Sequence, residues 1–279
     1  MSVERKYDGE YCQIHIDLDK ASDCIKIFSK SGKDSTSDRI GLHRVLRDSL
    51  ELDKASCKIK KQCILEGELL LWNDGDKRIE PFYKIRKYVK RSGRFLGTAL
   101  DSPVDPNEHL MIMFYDILLL DDTVCIRDSH DRRRGLLESL VHHIPGRADI
   151  GTREVIDFSS PVAPELLSRV LAEAITLRWE GFVLKGCGDA YFSFNKIRPF
   201  IKLKKDYIPG LGDTADFVIV GGRHDAKDEQ VIGIGKLWWT SFYLGCLENK
   251  DEVCRFNVKP RLRIIDMIDQ LSISRENIL

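Results

Sequence analysis

The chain has 279 residues, of which 43% are hydrophobic, 9% aromatic and 32% charged, a composition typical of a folded protein with about two domains. Forty-four basic and 44 acidic residues cancel, so contacts to a polyanion would have to come from local clusters. We find no run of about 18 uncharged apolar residues and no secretory signal, and we expect no membrane span. The eight cysteines include no C-x-x-C pair, and we expect reduced thiols.

The first part of the chain alternates patterns typical of strands and helices. Residues 11–17 and 24–29 predict an antiparallel hairpin, and apolar residues at helical spacing over 40–52 predict a helix. Two longer apolar segments predict buried strands that acidic residues interrupt. Later segments predict two helices, the second opened by a proline, and two short strands close behind them. The long strands cover 63–72 and 110–120, the helices 130–142 and 164–178, and the short strands 182–185 and 200–203.

After Pro209-Gly210 the sequence becomes glycine-rich and β-like, so we place a domain boundary near 208–213, with one domain over 1–208 and a second over 209–279. Strands are predicted in the second domain at 216–220, 231–237 and 241–247. A short helix is predicted after Arg261-Leu262-Arg263.

Two basic runs contain no acidic residue. Taken alone, each run is more typical of a solvated surface, and the alternative is a track for the phosphates of a nucleic-acid backbone. The first run contains Lys84, Arg86, Lys87, Lys90, Arg91 and Arg94, and the second Lys196, Arg198, Lys202, Lys204 and Lys205.

Charged side chains within apolar strands are costly to bury unless they are paired or used. Glu68 lies among leucines, Glu180 precedes a Phe-Val-Leu segment, and Lys202 and Lys204 alternate with Ile201 and Leu203. Each residue alone is as readily explained by a structural salt bridge. Together they predict a polyphosphate site with a lysine nucleophile, carboxylates for a divalent cation or a ribose, and cations for phosphate oxygens.

Six segments in a fixed order resemble the motifs of the ATP-dependent DNA ligases, in the covalent nucleotidyltransferase superfamily. They are E-R-K-Y-D-G-E, F-S-K-S, L-E-G-E-L, F-Y-D-I-L, E-G-F-V-L-K and I-K-L-K-K-D-Y. The resemblance covers residues 4 to about 247. It implies an α+β fold, with an adenylation domain of antiparallel sheets flanked by helices, followed by a partial β-barrel of the OB-fold type.

The resemblance also implies roles for individual residues. Lys6 would attack the α-phosphate of ATP and form a lysyl-adenylate, which then passes to a 5′-phosphate at a nick. Mg²⁺ would be the metal cofactor, nicked double-stranded DNA the substrate, DNA repair or recombination the process and the nucleus the location. The remaining assignments are adenine contacts for Glu4 and Phe114, ribose and metal contacts for Glu68, a metal contact for Glu180, nucleotide contacts for Lys30, Lys202 and Lys204, and DNA contacts for Lys84, Arg86, Lys87, Lys90 and Arg91.

The sequence departs from the family pattern at two motif positions. Tyr11 stands where the family usually has arginine, which removes a cation, and Lys30 replaces another arginine and loses its two-pronged hydrogen bonding. We also expect the family's N-terminal DNA-binding domain to be absent, the OB-fold to be incomplete after residue 247, and the C-terminal pyrophosphate motif to be missing. The alternatives are an RNA ligase, a capping guanylyltransferase and a non-catalytic nucleic-acid-binding relative.

Overall fold

The computed structural model describes residues 1–91, 94–95, 105–192, 200–210, 212, 217–233 and 236–269. Its chain divides into two compact units, Met1–Leu211 and Gly212–Leu279. The strands of the first unit are β1 Ser2–Lys6, β2 Glu10–Asp17, β3 Ile25–Phe28, β4 Gln62–Asn73, β5 Arg78–Ile79, β6 Lys90–Arg91, β7 Arg94–Phe95, β8 Glu108–Leu120, β9 Thr123–Val124, β10 Ala148–Ile150, β11 Arg153–Val155, β12 Gly181–Lys185 and β13 Phe200–Lys204. Its α-helices are α1 His43–Ser49, α2 His130–Leu140 and α3 Ala163–Thr176.

The larger sheet of the first unit has the strand order β10-β8-β4-β2-β3, and all of these neighbours are antiparallel except β10 and β8. Strict alternation along β2 buries Cys12, Ile14 and Ile16 on one face and leaves the residues between them partly exposed. The buried face packs against Leu46 of α1 and Leu137 of α2, which form one core with it. The opposite face is therefore available for a site.

The smaller sheet has the order β11-β1-β12-β13, again antiparallel. Helix α3 covers one of its faces, where Val170 and Ala174 pack with Val3 and Phe182 in a second core. Pro164 lies in the first turn of this helix, where a missing N–H costs nothing. Because Val3 is buried on the helix side, its neighbour Glu4 lies on the other face of the sheet.

The second unit contains a three-stranded antiparallel sheet in the order β14-β15-β16 and two helices. Its strands are β14 Val218–Arg223, β15 Ser241–Leu247 and β16 Leu262–Ile268, and its helices are α4 Ala226–Ile232 and α5 Lys250–Phe256. The mixed α+β class with antiparallel sheets is thus confirmed.

Two predictions in the second unit are wrong. Residues 231–232 end helix α4, because Asp225 caps its first turn by accepting from the Lys227 N–H, 2.9 Å away, and Gly233 ends it in the left-handed conformation. The segment after Arg261 is strand β16 and not a helix, because it pairs with β15 from Phe242 to Leu247. Residues 234–235 and 216, parts of two predicted strands, lie outside the described residues.

All eight cysteines are free thiols, as the sequence predicts. In the part of the chain that the structure describes, no helix is long and apolar enough to cross a membrane.

Candidate active site

A cleft of about 1200 Å³ in the first unit is lined by residues of both sheets. The smaller sheet contributes charged side chains of β1, β12 and β13, and the larger sheet contributes side chains of β2, β4 and β8 from the face opposite its core. The lining residues with a charge or a hydroxyl on these strands are Glu4, Arg5, Lys6, Glu10, Tyr11, Glu66, Glu68, Tyr115, Asp116, Lys185 and Lys202.

Lys6 and Lys204 both pair with the carboxylate of Glu180, one lysine on each oxygen. Gly181, at φ 140°, allows this arrangement, because a Cβ there would collide with the carbonyl oxygen of Leu203. Without a side chain at Gly181, β12 can approach β13 closely, and Gly181 is paired with Lys204 in the antiparallel register. The three predicted residues therefore meet in one partly buried cluster, and two cations share one anion.

Glycine is also required at position 9, where the chain turns from β1 into β2. A Cβ on Gly9 would lie against the carbonyl oxygen of Leu69 on β4. The K-Y-D-G sequence thus carries Lys6 at the end of β1 and lets the following residues pass close to the strand that holds Glu68.

Glu68 is the least compensated carboxylate of the cleft. It is largely buried, and the described residues offer it neither an ion pair nor a hydrogen bond. Burial raises its pKa to about 7, and the charges of Glu180, Asp8 and Glu10 add to this effect while Lys6 opposes it. A ligand with positive charge or a hydroxyl donor at this position would remove the cost of ionising Glu68.

Glu4 has the opposite environment. Burial alone would raise its pKa, but His130 and Lys185 outweigh burial and lower the pKa to about 2. His130 Nε2 lies 2.8 Å from one carboxylate oxygen and Lys185 Nζ 2.8 Å from the other, and the Ser2 hydroxyl donates to Glu4 over 2.9 Å. Glu4 is therefore a fixed, ionised hydrogen-bond acceptor at the wall of the cleft.

The structure does not place Phe114 where an adenine ring could stack on it. Phe114 is fully buried in the main core, whereas Tyr115 lines the cleft. A register shift between β4 and β8 leaves Tyr115 as an extra residue, because Asp116 aligns with Glu66 and Phe114 with Gly67. Such a bulge turns consecutive side chains toward one face. The stacking role therefore fits Tyr115.

Helix α2 supplies cleft residues to which the sequence analysis assigned no role. Arg133 donates to both oxygens of Asp116, over 2.7 and 3.2 Å, and to the backbone carbonyls of Asp128 and Asp189, over 2.7 and 3.2 Å. His130, Arg133 and Arg134 are all buried, together with Leu137. Their i, i+3, i+4, i+7 spacing was a usable signal, since it puts charged residues on the core-facing side of a helix.

The family described as "ATP dependent DNA ligase domain" matches residues 1–204. The chain belongs to the ATP-dependent DNA ligase family. The DNA ligase of Fowlpox virus (strain NVSL) is 32% identical over 252 residues, which are 90% of this chain and 38% of that protein. DNA ligase 4 of Dictyostelium discoideum is 27% identical over 225 residues, 80% of this chain and 19% of that protein. The chain thus spans between about a fifth and two fifths of the length of these relatives.

A solved structure of mycobacterial DNA ligase D complexed with ATP and MES superposes with a TM-score of 0.52 and 16% identity, covering 96% of this chain and 66% of that one. At this identity the likeness establishes the fold alone.

The remaining nucleotide-site predictions concern Lys30 and Lys202, and both residues line the cleft. Lys30 is exposed in the turn after β3, and Lys202 lies on β13 with its Nζ 5.9 Å from the centre of the Phe200 ring. At the position where the ligase family usually has arginine, the hydroxyl of Tyr11 donates to Glu66, which also accepts from Tyr191 over 2.8 Å.

The basic run at 84–94 does not form one uniform track. Lys84 is 2.6 Å from Glu108 and 2.7 Å from Glu80, two buried carboxylates that raise its pKa. The predicted DNA contact at Lys84 does not fit this anchoring role. Lys90 lines the cleft, whereas Arg86 is exposed and Lys87 is half-buried. The side chains of Arg91 and Arg94, and all of Lys196 and Arg198, lie outside the described residues.

Proposed function

We propose that this chain is the adenylation module of an ATP-dependent DNA ligase, which joins strand breaks through a lysyl-AMP intermediate on Lys6. The observation that carries the proposal is the cluster of Lys6, Glu180 and Lys204 at the edge of a cleft large enough for a nucleotide. A lysine that is the nucleophile must lie beside a group that can accept its proton and a cation that can meet the phosphate.

The side chains of the cleft support a specific pose of ATP. Tyr115 offers a ring face for the base, and the fixed carboxylate of Glu4 offers an acceptor for the exocyclic amine of adenine. Glu68 offers an acceptor for the ribose hydroxyls. Lys202 and Lys204 would then meet the α-phosphate beside Lys6.

In the first step Lys6 Nζ forms a bond to the α-phosphorus, and the bond from that phosphorus to pyrophosphate breaks. Glu180 is the nearest carboxylate to Lys6, so it is suited to take the proton that Nζ loses. Lys204 remains as a cation that stabilises the charge developing on the phosphate oxygens.

The site can offer Mg²⁺ only a small number of ligands from the described side chains. The described residues contain no group of three side chains placed to hold a metal ion, and Glu180 is already shared by two lysines. Glu68, buried without a partner, has the donor chemistry that Mg²⁺ prefers when substrate phosphates and waters complete its coordination. When bound there, Mg²⁺ would neutralise charge on the phosphates.

In the later steps an oxygen of the DNA 5′-phosphate would displace Lys6 from AMP, and a 3′-hydroxyl would then displace AMP and close the strand. Joining of nicked duplex is the reaction with which repair and recombination end. We therefore extend the proposal to these processes and to the nucleus, where such a substrate would lie.

The test uses α-labelled ATP and GTP in parallel, followed by nicked duplex with an ordinary or a pre-adenylated 5′-end. We expect acid-labile label from ATP and sealing of both nicks, with neither label nor ATP-driven sealing in Lys6→Ala. Labelling by GTP instead would favour the capping enzymes, and sealing of RNA but not DNA would favour an RNA ligase. DNA binding without any label or sealing would favour the non-catalytic alternative.

A further inference from the structure

The arginine directly before Lys6 has no ion pair with an acidic side chain among the described residues. Arg5 lies on β1, and its guanidinium carbon is 4.5 Å from the centre of the Tyr7 ring and 4.4 Å from the centre of the Trp179 ring. Burial lowers the pKa of this guanidinium, and contact with the face of a ring stabilises a cation that has lost water. We call Arg5, Tyr7 and Trp179 the aromatic clamp, and none of the roles proposed above uses them.

The aromatic clamp joins the two chain segments that carry the ion pair of Lys6 and Glu180. Arg5 is the neighbour of Lys6, and Trp179 is the neighbour of Glu180. In the register of β1 and β12, Lys6 is paired with Gly181, which has no side chain against which Lys6 could pack. Side-chain contact between the two segments is supplied instead by Arg5 and Trp179.

Glu180 lies in a short connection that neither a helix nor a strand holds. The connection runs from α3 to β12, and the residues on either side of Trp179 and Glu180 have positive φ, 56° at Arg178 and 140° at Gly181. The backbone N–H of Trp179 donates to the carbonyl of Ala174 in α3 over 2.9 Å, and the Trp179 ring packs against the second core. The direction of the Glu180 side chain therefore depends on how its anchored neighbour Trp179 is held.

The other end of the aromatic clamp is anchored at Thr152. The backbone N–H of Arg5 donates to the Thr152 carbonyl over 3.0 Å, and the hydroxyls of Tyr7 and Thr152 are 3.2 Å apart. Lys6 is thus flanked by two residues that are fixed to the same threonine. The contact between Arg5 and Trp179 connects this fixed end of β1 with the anchored start of the Glu180 segment.

We propose that the aromatic clamp is a positioning device for the adenylation step, in which Arg5 and Trp179 hold Lys6 and Glu180 at the separation that proton transfer requires. This inference rests on the proposed function for the reaction itself. Arg5 acts through its neighbour, because alternation along β1 directs the side chains of Arg5 and Lys6 to opposite faces. A displacement of about 1 Å at a reacting group costs about 100-fold in rate, whereas the contacts that other residues make to ATP would persist. The aromatic clamp should therefore affect the rate of labelling and not the affinity for ATP.

The experiment compares the wild type with Arg5→Met, Trp179→Leu and the double variant. Trp179→Phe keeps a ring at this position, and it decides the question if the leucine variant does not fold. Val170→Ala is the matched control, because Val170 is buried in the same core against which Trp179 packs and is not part of the aromatic clamp.

Each protein is measured for its single-turnover rate of labelling at saturating ATP, its dissociation constant for ATP and its midpoint of urea denaturation. A further measurement is the acetylation of Lys6 by a limiting amount of an amine-reactive acetyl ester, which requires no activity. Peptide mapping by mass spectrometry quantifies this acetylation relative to Lys20, whose side chain is 60% exposed.

We expect Arg5→Met and Trp179→Leu each to slow labelling by about 10- to 100-fold and to leave the dissociation constant for ATP unchanged, with Trp179→Phe between the leucine variant and the wild type. Because both substitutions remove the same contact, the double variant should be no slower than the slower single variant. Lys6 should be acetylated faster in these variants, since Glu180 no longer holds it. Val170→Ala should lower the urea midpoint and leave the labelling rate and the acetylation of Lys6 unchanged.

Wild-type labelling rates in Arg5→Met and in either Trp179 variant would overturn the proposal. Rate losses that multiply in the double variant would also overturn it, as would an equal loss of rate in Val170→Ala, which would show general support of the core. A loss of affinity for ATP that matches the loss of rate would overturn it in favour of a direct phosphate contact by Arg5.

The acetylation of Lys6 separates this proposal from the proposed function. A wild type that is never labelled by ATP would refute the proposed function. Faster acetylation of Lys6 in Arg5→Met and in either Trp179 variant would then still support the aromatic clamp, and unchanged acetylation would overturn it.

Discussion

Replacing Glu68 by glutamine should stabilise the nucleotide-free protein while it removes activity. The carboxyl group is largely buried without a partner among the described residues, and burial raises its pKa from 4.5 to about 7. The ionised form is therefore unfavourable in the folded chain. Glutamine has nearly the same shape and no charge, so the substitution removes that cost and leaves the surrounding packing unchanged.

The magnitude follows from the shift of the pKa. Because the folded chain holds the Glu68 proton more tightly than the unfolded chain, the free energy of unfolding of the wild type falls as the pH rises from 4.5 to about 7. A shift of this size corresponds to about 3 kcal/mol once the group is fully ionised. Glu68→Gln should thus exceed the wild type by up to about 3 kcal/mol above pH 7 and by almost nothing near pH 4.5.

Glu4→Gln is the matched control, because the same substitution should have the opposite sign. Despite its burial, His130 and Lys185 lower the pKa of Glu4 from 4.5 to about 2, so ionised Glu4 stabilises the fold above pH 4.5 and that contribution is lost as the pH falls toward 2. We expect a loss of about 3 kcal/mol at neutral pH, from the shift of the pKa and from the loss of the closer ionic partner of Lys185, which then has Asp116 at 3.9 Å.

The assay is urea denaturation of both variants and the wild type between about pH 5 and pH 8.5, followed by far-ultraviolet circular dichroism. Destabilisation by both substitutions, or a gain in Glu68→Gln that does not grow with pH, would mean that ionising Glu68 does not cost the folded chain free energy.

Three further predictions concern single side chains. Arg133→Leu should cost about 3 to 5 kcal/mol in urea denaturation, because it leaves the buried carboxylate of Asp116 with Lys185, 3.9 Å away, in place of two close hydrogen bonds, and a loss under about 1 kcal/mol would contradict this. Lys87→Ala should reduce the slope of log affinity for DNA against log salt concentration by up to about one unit. Lys84→Ala should lower stability without changing that slope. Equal slopes in the wild type and both variants would mean that Lys87 does not contact a DNA phosphate. Tyr115→Ala should weaken ATP binding by about 5- to 100-fold in calorimetry, whereas Phe114→Leu should lower stability and leave ATP affinity unchanged, and the reverse pattern would restore Phe114 as the stacking residue.

The sequence was informative where a motif fixes a backbone constraint. Glycines after Lys6 and Glu180 are required by close backbone contacts, so the spacing of these motifs carries geometry as well as chemistry. Alternation along β13 predicts that Lys202 and Lys204 lie on one face. In the structure Lys202 lines the cleft, and Lys204 pairs with Glu180, which also pairs with the cleft residue Lys6.

The sequence misled where local irregularity or a distant partner decides the outcome. The bulge between β4 and β8 turns Tyr115 into the cleft, and no composition or period signals a single extra residue in a long apolar strand. Lys84 belongs to a basic run, yet it pairs with Glu80, four residues earlier, and with Glu108 on β8, and the second of these partners is distant in sequence. In the second unit, Asp225 and Gly233 are residue types typical of helix caps and indicate the helix between them, whereas the apolar residues from 231 onward favoured a strand.

Peptide mapping by mass spectrometry after incubation with ATP and Mg²⁺ identifies the lysine that becomes adenylated, and we expect it to be Lys6. Lys6→Arg is the sharpest control, because it keeps a cation beside Glu180 that cannot lose its proton. We expect one acid-labile AMP on the peptide that contains Lys6 in the wild type and none in the variant. AMP on a different lysine, or equal labelling of the two proteins, would contradict it.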